Sequence, residues 1–291
     1  MKKLFITLLC CGVVMCSAAQ KIEVKEPQLI KEAGTAAFYP KFTPDGKTLL
    51  LTSQDYSGLK TINLETRKVE ILTTAPGAGW NAVISDDSKT VCFEKMDFSS
   101  DPWGVKTFHT VDLASKQIQP VMSPQIVEVK PLTLMRAKAA IQSPAVAFVN
   151  EDLKIVLEKD GKQTILTPNG ADETYIWVEL SPDGKKIAYF ASSMNEAFVC
   201  DLSGKVLASL GELRALQWLN NKWVIGMNDL DDGHTVTKSN IVGITADGKV
   251  KQALTDPDGL VAMFPAASPA GDKIAFNTLE GKLYIMDVVV K

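Results

Sequence analysis

Beyond Tyr39 the apolar residues fall in short runs, each set off by a polar turn. The sharpest case is Ser181-Pro182-Asp183-Gly184-Lys185-Lys186-Ile187-Ala188-Tyr189-Phe190. Pro presets φ near −65°, Asp hydrogen-bonds the backbone ahead of it, and Gly takes the positive φ that closes the turn. Ile187 to Phe190 then shows little polar alternation, which predicts a strand buried on both faces.

The pattern recurs. Phe42-Thr43-Pro44-Asp45-Gly46-Lys47-Thr48-Leu49-Leu50-Leu51 repeats it almost residue for residue. Looser copies are Ile84-Ser85-Asp86-Asp87-Ser88-Lys89 before Val91-Cys92-Phe93, Trp218-Leu219-Asn220-Asn221-Lys222 before Trp223-Val224-Ile225, and Ser268-Pro269-Ala270-Gly271-Asp272-Lys273 before Ile274-Ala275-Phe276. The gap between the second and third of these turns along the chain spans roughly two periods and predicts one more unit with a lost turn. Its strands are expected at 145–149, 154–158 and 163–167. Spacings of about 37 to 50 residues lie in the range of four-stranded propeller blades.

Each unit carries a second strand pair. Leu59–Leu64 and Val69–Thr73 flank Glu65-Thr66-Arg67-Lys68, and Ala197–Leu202 and Val206–Leu210 flank Ser203-Gly204-Lys205. Four short strands joined by hairpins make one blade, and a lone blade exposes two apolar faces, so it is stable only in a ring. The expectation is an all-β chain forming a single six-bladed β-propeller.

The Ser-Pro-Asp-Gly-Lys turn, the Ile-Ala-Tyr strand and the strands ending in Asp112-Leu113, Asp201-Leu202 or Asp287-Val288 resemble the Pro-Asp propeller repeat of the TolB family. The resemblance runs from about Tyr39 to Val290, with two close copies of the motif at Thr43–Lys47 and Ser181–Lys185. It implies a periplasmic protein with protein partners. The motif itself is a structural turn, and function does not follow from it. TolB also has an N-terminal domain with no counterpart here, so its particular translocation role is not expected of this chain.

The start of the chain reads as a signal peptide. Met1-Lys2-Lys3 precedes an apolar run from Leu4 to Met15, and Ser17 and Ala19 stand at −3 and −1 for cleavage before Gln20. The run is short for a membrane anchor, which needs about 20 apolar residues. Lipidation at Cys16 would place the large Met15 where a small residue is wanted. Residues 1–19 are therefore read as a removed leader and 20–291 as the propeller, periplasmic or extracellular, with no membrane insertion of the mature chain. Within it, 20–37 is the strand and linker that close the last blade, because the unit after Pro265 has three obvious strands of its own. Pro27 fits an outer, edge position.

The mature chain carries 29 basic and 34 acidic residues, a net charge of −5, which does not favour nucleic acid or an anionic membrane. Cys92 and Cys200 remain after leader removal, in different blades, and read as two separate buried thiols. Candidate chemistry is sparse. His109 and His234 are the two histidines, neither with a Cys or second His at metal-ligand spacing, and there is no Gly-x-Ser-x-Gly elbow. The acidic stretch Asn228-Asp229-Leu230-Asp231-Asp232-Gly233 departs from a calcium loop at two ligand positions and reads as a hairpin tip. No cofactor, metal or catalytic residue is expected.

The candidates left are for binding. Tyr39, Trp177 and Phe264 share one position before the turn, with Phe38 and Trp80 one residue earlier. These residues read as a rim of the channel mouth or as interblade packing. Phe98 and Trp103 lie in the longer loop Met96–Gly104, and 130–143 is an irregular insertion of no assigned role. The function expected is a non-catalytic exported module that binds a protein or peptide of the envelope or a secreted assembly. The alternative is a glycan-binding or glycan-active propeller, since aromatic rims also stack on sugar rings.

Overall fold

The computed structural model describes residues 21–99, 104–121 and 145–291. They form an all-β, six-bladed propeller with one short 3₁₀ turn, Lys31–Ala33. The expected leader, 1–19, Trp103 and the 130–143 insertion lie outside the described residues.

The first blade is Phe38–Phe42, Thr48–Thr52, Leu59–Asn63 and Val69–Thr73; the second is Val83–Ile84, Thr90–Asp97, Val105–Asp112 and Ile118–Pro120. The third shows three strands among the described residues, Val146–Val149, Ile155–Lys159 and Lys162–Leu166. The fourth is Tyr175–Leu180, Lys186–Ala191, Glu196–Asp201 and Val206–Gly211, and the fifth is Arg214–Trp218, Trp223–Asp231, Val236–Thr245 and Lys251–Ala253. The sixth holds Ala262–Ala267, Lys273–Thr278 and Leu283–Val290, with an outer strand from the other end of the chain. Ile22 pairs with Val290 and Val24 with Val288; after a break at 25–27 that contains Pro27, Gln28 pairs with Ile285 and Leu29 with Tyr284. Gly243 of the fifth blade makes room for this strand, since a Cβ there would stand 2.8 Å from Ile22 Cδ1.

The unbroken apolar runs are explained by two interfaces per blade. Ile187 and Tyr189 face the third blade with Ile155 and Leu157, while Ala188 and Phe190 face the fifth with Trp218 and Val224. Leu49 and Leu51 face the sixth blade, and Leu50 faces Val91 and Phe93 of the second. Each buried Ile, Leu, Val or Phe side chain among them contributes about 1.5–3 kcal/mol by leaving water.

The recurring turn has one internal design. Ser181 Oγ donates to Asp183 at 2.7 Å and accepts from the Lys186 N–H at 2.9 Å, with Gly184 at φ 67°. Thr43 with Asp45 and Ser85 with Asp87 repeat it. In the third blade the turn is altered rather than lost. Asn150 Oδ1 accepts from the Lys154 N–H at 2.7 Å, and Leu153 takes the left-handed place of Gly at φ 54°. The turns also join blades, because the Asp45 N–H donates to Ser88 Oγ at 3.0 Å and the Asp183 N–H to Asn221 Oδ1 at 2.9 Å.

Candidate functional site: an aromatic arc over a charged channel

Four residues before the turn, on the innermost strand of four blades and just ahead of it in the second, stands a residue in the left-handed region: Tyr39 (φ 51°), Asn81 (54°), Trp177 (50°), Ala215 (51°) and Phe264 (51°). In four of them the register with the second strand slips there, between Phe38 and Lys41, Ile176 and Glu179, Arg214 and Gln217, and Met263 and Ala266. This is a β-bulge, which bends the strand and re-aims its side chains. A left-handed non-Gly residue costs about 1–3 kcal/mol. Ala215 and Asn81 share the conformation, so it belongs to the ring architecture and not to the aromatic side chains.

On the face opposite the recurring turns, the bulges bring aromatic rings of three blades together. Tyr39 meets Phe264 edge-on at 4.6 Å between ring centroids and stacks on Tyr56 at 4.4 Å; Tyr56 meets Trp80 edge-on at 4.9 Å. Such contacts contribute about 0.5–1.5 kcal/mol each beyond area burial. Phe38, buried beside Tyr39, backs the arc at 6.1 Å. The Tyr39 N–H donates to Asn277 Oδ1 of the sixth blade at 3.0 Å, which fixes the strand on which the arc stands. Burial, then the Tyr39 hydroxyl, push the Tyr56 phenol far above its usual pKa. Trp80 ends the arc half exposed, at 50%. Exposed Phe98, Met194, Leu230, Leu260 and Leu279 stand on hairpins and connections of the same face.

Inside the ring, two residues before the turn, three blades carry polar side chains, Lys41, Glu179 and Gln217, while Val83, Phe148 and Ala266 hold the equivalent places in the second, third and sixth. Lys41 of the first blade is open to water yet walled by protein. It donates to Ala82 O of the second blade at 2.9 Å. Desolvation lowers its pKa, and the Glu179 carboxylate of the fourth blade opposes that shift, so the two charges interact across the channel. Gln217 of the fifth blade donates to Glu179 Oε1 at 2.9 Å, and Trp218 Nε1 donates to Glu179 O at 3.0 Å.

Of the residues singled out from the sequence, Tyr39, Trp80 and Phe264 are thus joined, and Tyr56, in the connection between the second and third strands of the first blade, links them. Trp177 stands elsewhere: it is half buried, edge-on to Phe190 at 5.3 Å, and packs on the cores on both sides of the fifth blade. Phe98 is exposed and crowds Gly104, while Trp103 lies outside the described residues. His109 is half buried and stacks on Phe93 at 5.7 Å. The acidic stretch ends in a hairpin where Asp232 accepts from the His234 and Thr235 N–H groups at 2.9 Å, and Arg214 pairs with Asp229 at 2.6 Å. Cys92 and Cys200 are free and buried; burial pushes their thiols up to about 11 and about 12, so neither is poised as a nucleophile.

No protein-family profile matches the chain, and no curated protein matches it. Solved structures do. The TolB candidate of Agrobacterium tumefaciens is similar at 15% identity and a TM-score of 0.54, over 94% of this chain and 99% of that one. A chain of the mitotic checkpoint complex is similar at 10% identity and 0.53, over 99% and 98% of the two chains. An oligogalacturonate lyase in complex with manganese is similar at 14% identity and 0.50, over 87% and 77%. At these identities the likeness is one of fold, and what the chain shares with the TolB candidate is a TolB-like propeller.

Proposed function

We propose that the chain is an exported, non-catalytic binding module that captures a protein or peptide partner in the cell envelope, on the face bearing the arc. The observation that carries this reading is the run Phe264–Tyr39–Tyr56–Trp80, which spans three blades and ends in a half-exposed indole. Aromatic anchors on a rigid frame dominate protein interfaces, and a true hot spot costs about 2 kcal/mol or more on truncation. The exposed apolar side chains around the same face extend the contact area. Among the described residues no three His, Cys, Asp or Glu side chains gather at metal-binding distance, and both thiols are held protonated. The TolB-like fold and the leader-like start agree with an envelope protein.

The second reading is a glycan-binding or glycan-active propeller. It draws on the same stacked rings and on the fold shared with the oligogalacturonate lyase. One experiment separates the two. The mature chain and its Trp80→Ala and Tyr56→Ala variants are immobilised and challenged with envelope extract of the native host and, in parallel, with oligogalacturonates. The binding-module reading expects a discrete protein retained by wild type and lost several-fold on both variants, with melting temperatures nearly kept for Trp80→Ala. Turnover or retention of the oligosaccharide, with no protein dependent on the arc, would replace it by the glycan reading.

A further inference from the structure

Lys41 lies two residues beyond Tyr39, and the carbonyl that accepts its hydrogen bond, Ala82 O at 2.9 Å, lies two residues beyond Trp80. The ammonium therefore sits below the end of the arc where Trp80 is open. An ammonium has three N–H donors, and among the described residues this one makes a single hydrogen bond, so two donors remain. The site is hemmed in enough for desolvation to disfavour the charge. In such surroundings a hydrogen bond from a charged donor to a carboxylate is stronger than a neutral one. On the far wall stands Glu179, held by Gln217 at 2.9 Å. A ligand crossing the channel thus meets a cation beneath the aromatic rings and an anion opposite.

We infer that Lys41 sets the specificity of the arc by taking one carboxylate of an acidic peptide segment, whose adjacent aromatic or aliphatic side chain lies against Tyr56 and Trp80. The inference rests on the protein-binding reading above and narrows its partner. A peptide fits better than a polyuronide because Glu179 repels a second carboxylate on the ligand, as does the net charge of −5 on the mature chain. One acid flanked by neutral or basic groups meets both walls.

The test uses two short probes, N-acetyl-Gly-Trp-Glu-amide and N-acetyl-Gly-Trp-Gln-amide, titrated by ligand-observed NMR against the mature chain, with trigalacturonate as the third ligand. The acid peptide is expected to bind about tenfold more tightly than its amide twin. Lys41→Met, which keeps the aliphatic stem, should bring the ratio to about one, chiefly by weakening the acid peptide. Lys41→Gln, checked by its melting curve, repeats the measurement if the methionine variant folds poorly. A ratio near one in wild type, a ratio that survives the loss of Lys41, or no binding of either peptide would overturn the inference. Trigalacturonate bound more tightly than the acid peptide in a Lys41-dependent way would overturn it in favour of an acidic sugar. These outcomes are independent of partner capture by the Trp80→Ala variant, which tests the binding-module reading itself.

Discussion

Gln252 holds Ile22 by both of its backbone polar groups. The amide oxygen accepts from the Ile22 N–H at 3.0 Å, and the amide nitrogen donates to Ile22 O. Gln252 belongs to the outer strand of the fifth blade and Ile22 to the outer strand of the sixth, 230 positions away in sequence. The side chain therefore clamps the strand that closes the ring.

Gln252→Ala should leave two partly buried backbone groups without a partner. An unsatisfied buried group costs about 1–3 kcal/mol, so urea unfolding is expected to show a loss of that order, smaller for Gln252→Glu, which keeps the acceptor. Removing 20–33 altogether should do more, since Leu283–Val290 would be left with an open edge prone to pairing with other chains. Light scattering and thermal melting of a chain beginning at Gly34 check this. A monomer as heat-stable as the longer chain would show that the strand is dispensable.

Acid should loosen the ring through its turns. The pKa values of Asp183 and Asp87 are lowered first by the hydroxyls of Ser181 and Ser85, and that of Asp247 falls to about 2 through the Thr245 hydroxyl and the Lys249 N–H. A carboxylate depressed in the folded state contributes its stability above its unfolded value, near 4, and loses it as pH falls through the folded value. The melting temperature is therefore expected to be flat in these groups from pH 7 to about 5 and to drop between about pH 4 and 2. Ser181→Ala should weaken that drop. A titration with its slope near pH 6 would point to other groups.

The repeat was legible because its chemistry is local: hydroxyl, Asp and a left-handed residue act within six positions, and the apolar run that follows needs two interfaces to be buried. The third blade hid its turn because Asn150 and Leu153 do the work of Ser and Gly, a substitution that only the backbone conformation reveals. The closing strand was legible by counting, since a ring leaves no blade incomplete. The site was half legible. Tyr39, Phe264 and Trp80 stood out by repeat position, whereas Tyr56 was hidden in a hairpin that reads as polar, Asp55-Tyr56-Ser57-Gly58. Lys41 and Glu179 were missed because strand alternation does not say which residues meet across an axis, and the bulge shifts the alternation at that point. The signal available was their common place two residues before the turn.

Neither histidine is expected to matter for function. His109 lies against Phe93 on a strand of the second blade, and His234 is an exposed hairpin residue held by its own backbone. Replacing both by Gln should leave partner capture within about twofold of wild type, with a melting change confined to the His109 variant, where the ring contact contributes about 0.5–1.5 kcal/mol. A purified chain that turned over an ester or a glycan and lost that activity on either change would make the protein an enzyme.

Trp177 shares a repeat position with Tyr39 and Phe264 and differs from them in surroundings. Its ring touches Phe190 and lies against the packed side chains on both sides of the fifth blade, where Trp223, Phe276 and Leu216 are buried. It has no contact with the arc among its ring neighbours. Truncation there opens a cavity between blades, and Trp→Ala changes in cores cost about 3–5 kcal/mol. Half burial places Trp177→Ala near the lower end, about 3 kcal/mol. Trp80→Ala, by contrast, removes a half-exposed ring and should cost about 1 kcal/mol or less. The two variants are therefore expected to separate: Trp177→Ala lowers the melting temperature by several degrees and binds its partner normally in the fraction still folded, whereas Trp80→Ala keeps the melting temperature and loses affinity. Equilibrium unfolding run beside a binding titration on the same samples decides it. Loss of affinity at unchanged stability in Trp177→Ala would extend the binding face across the channel to the fourth blade.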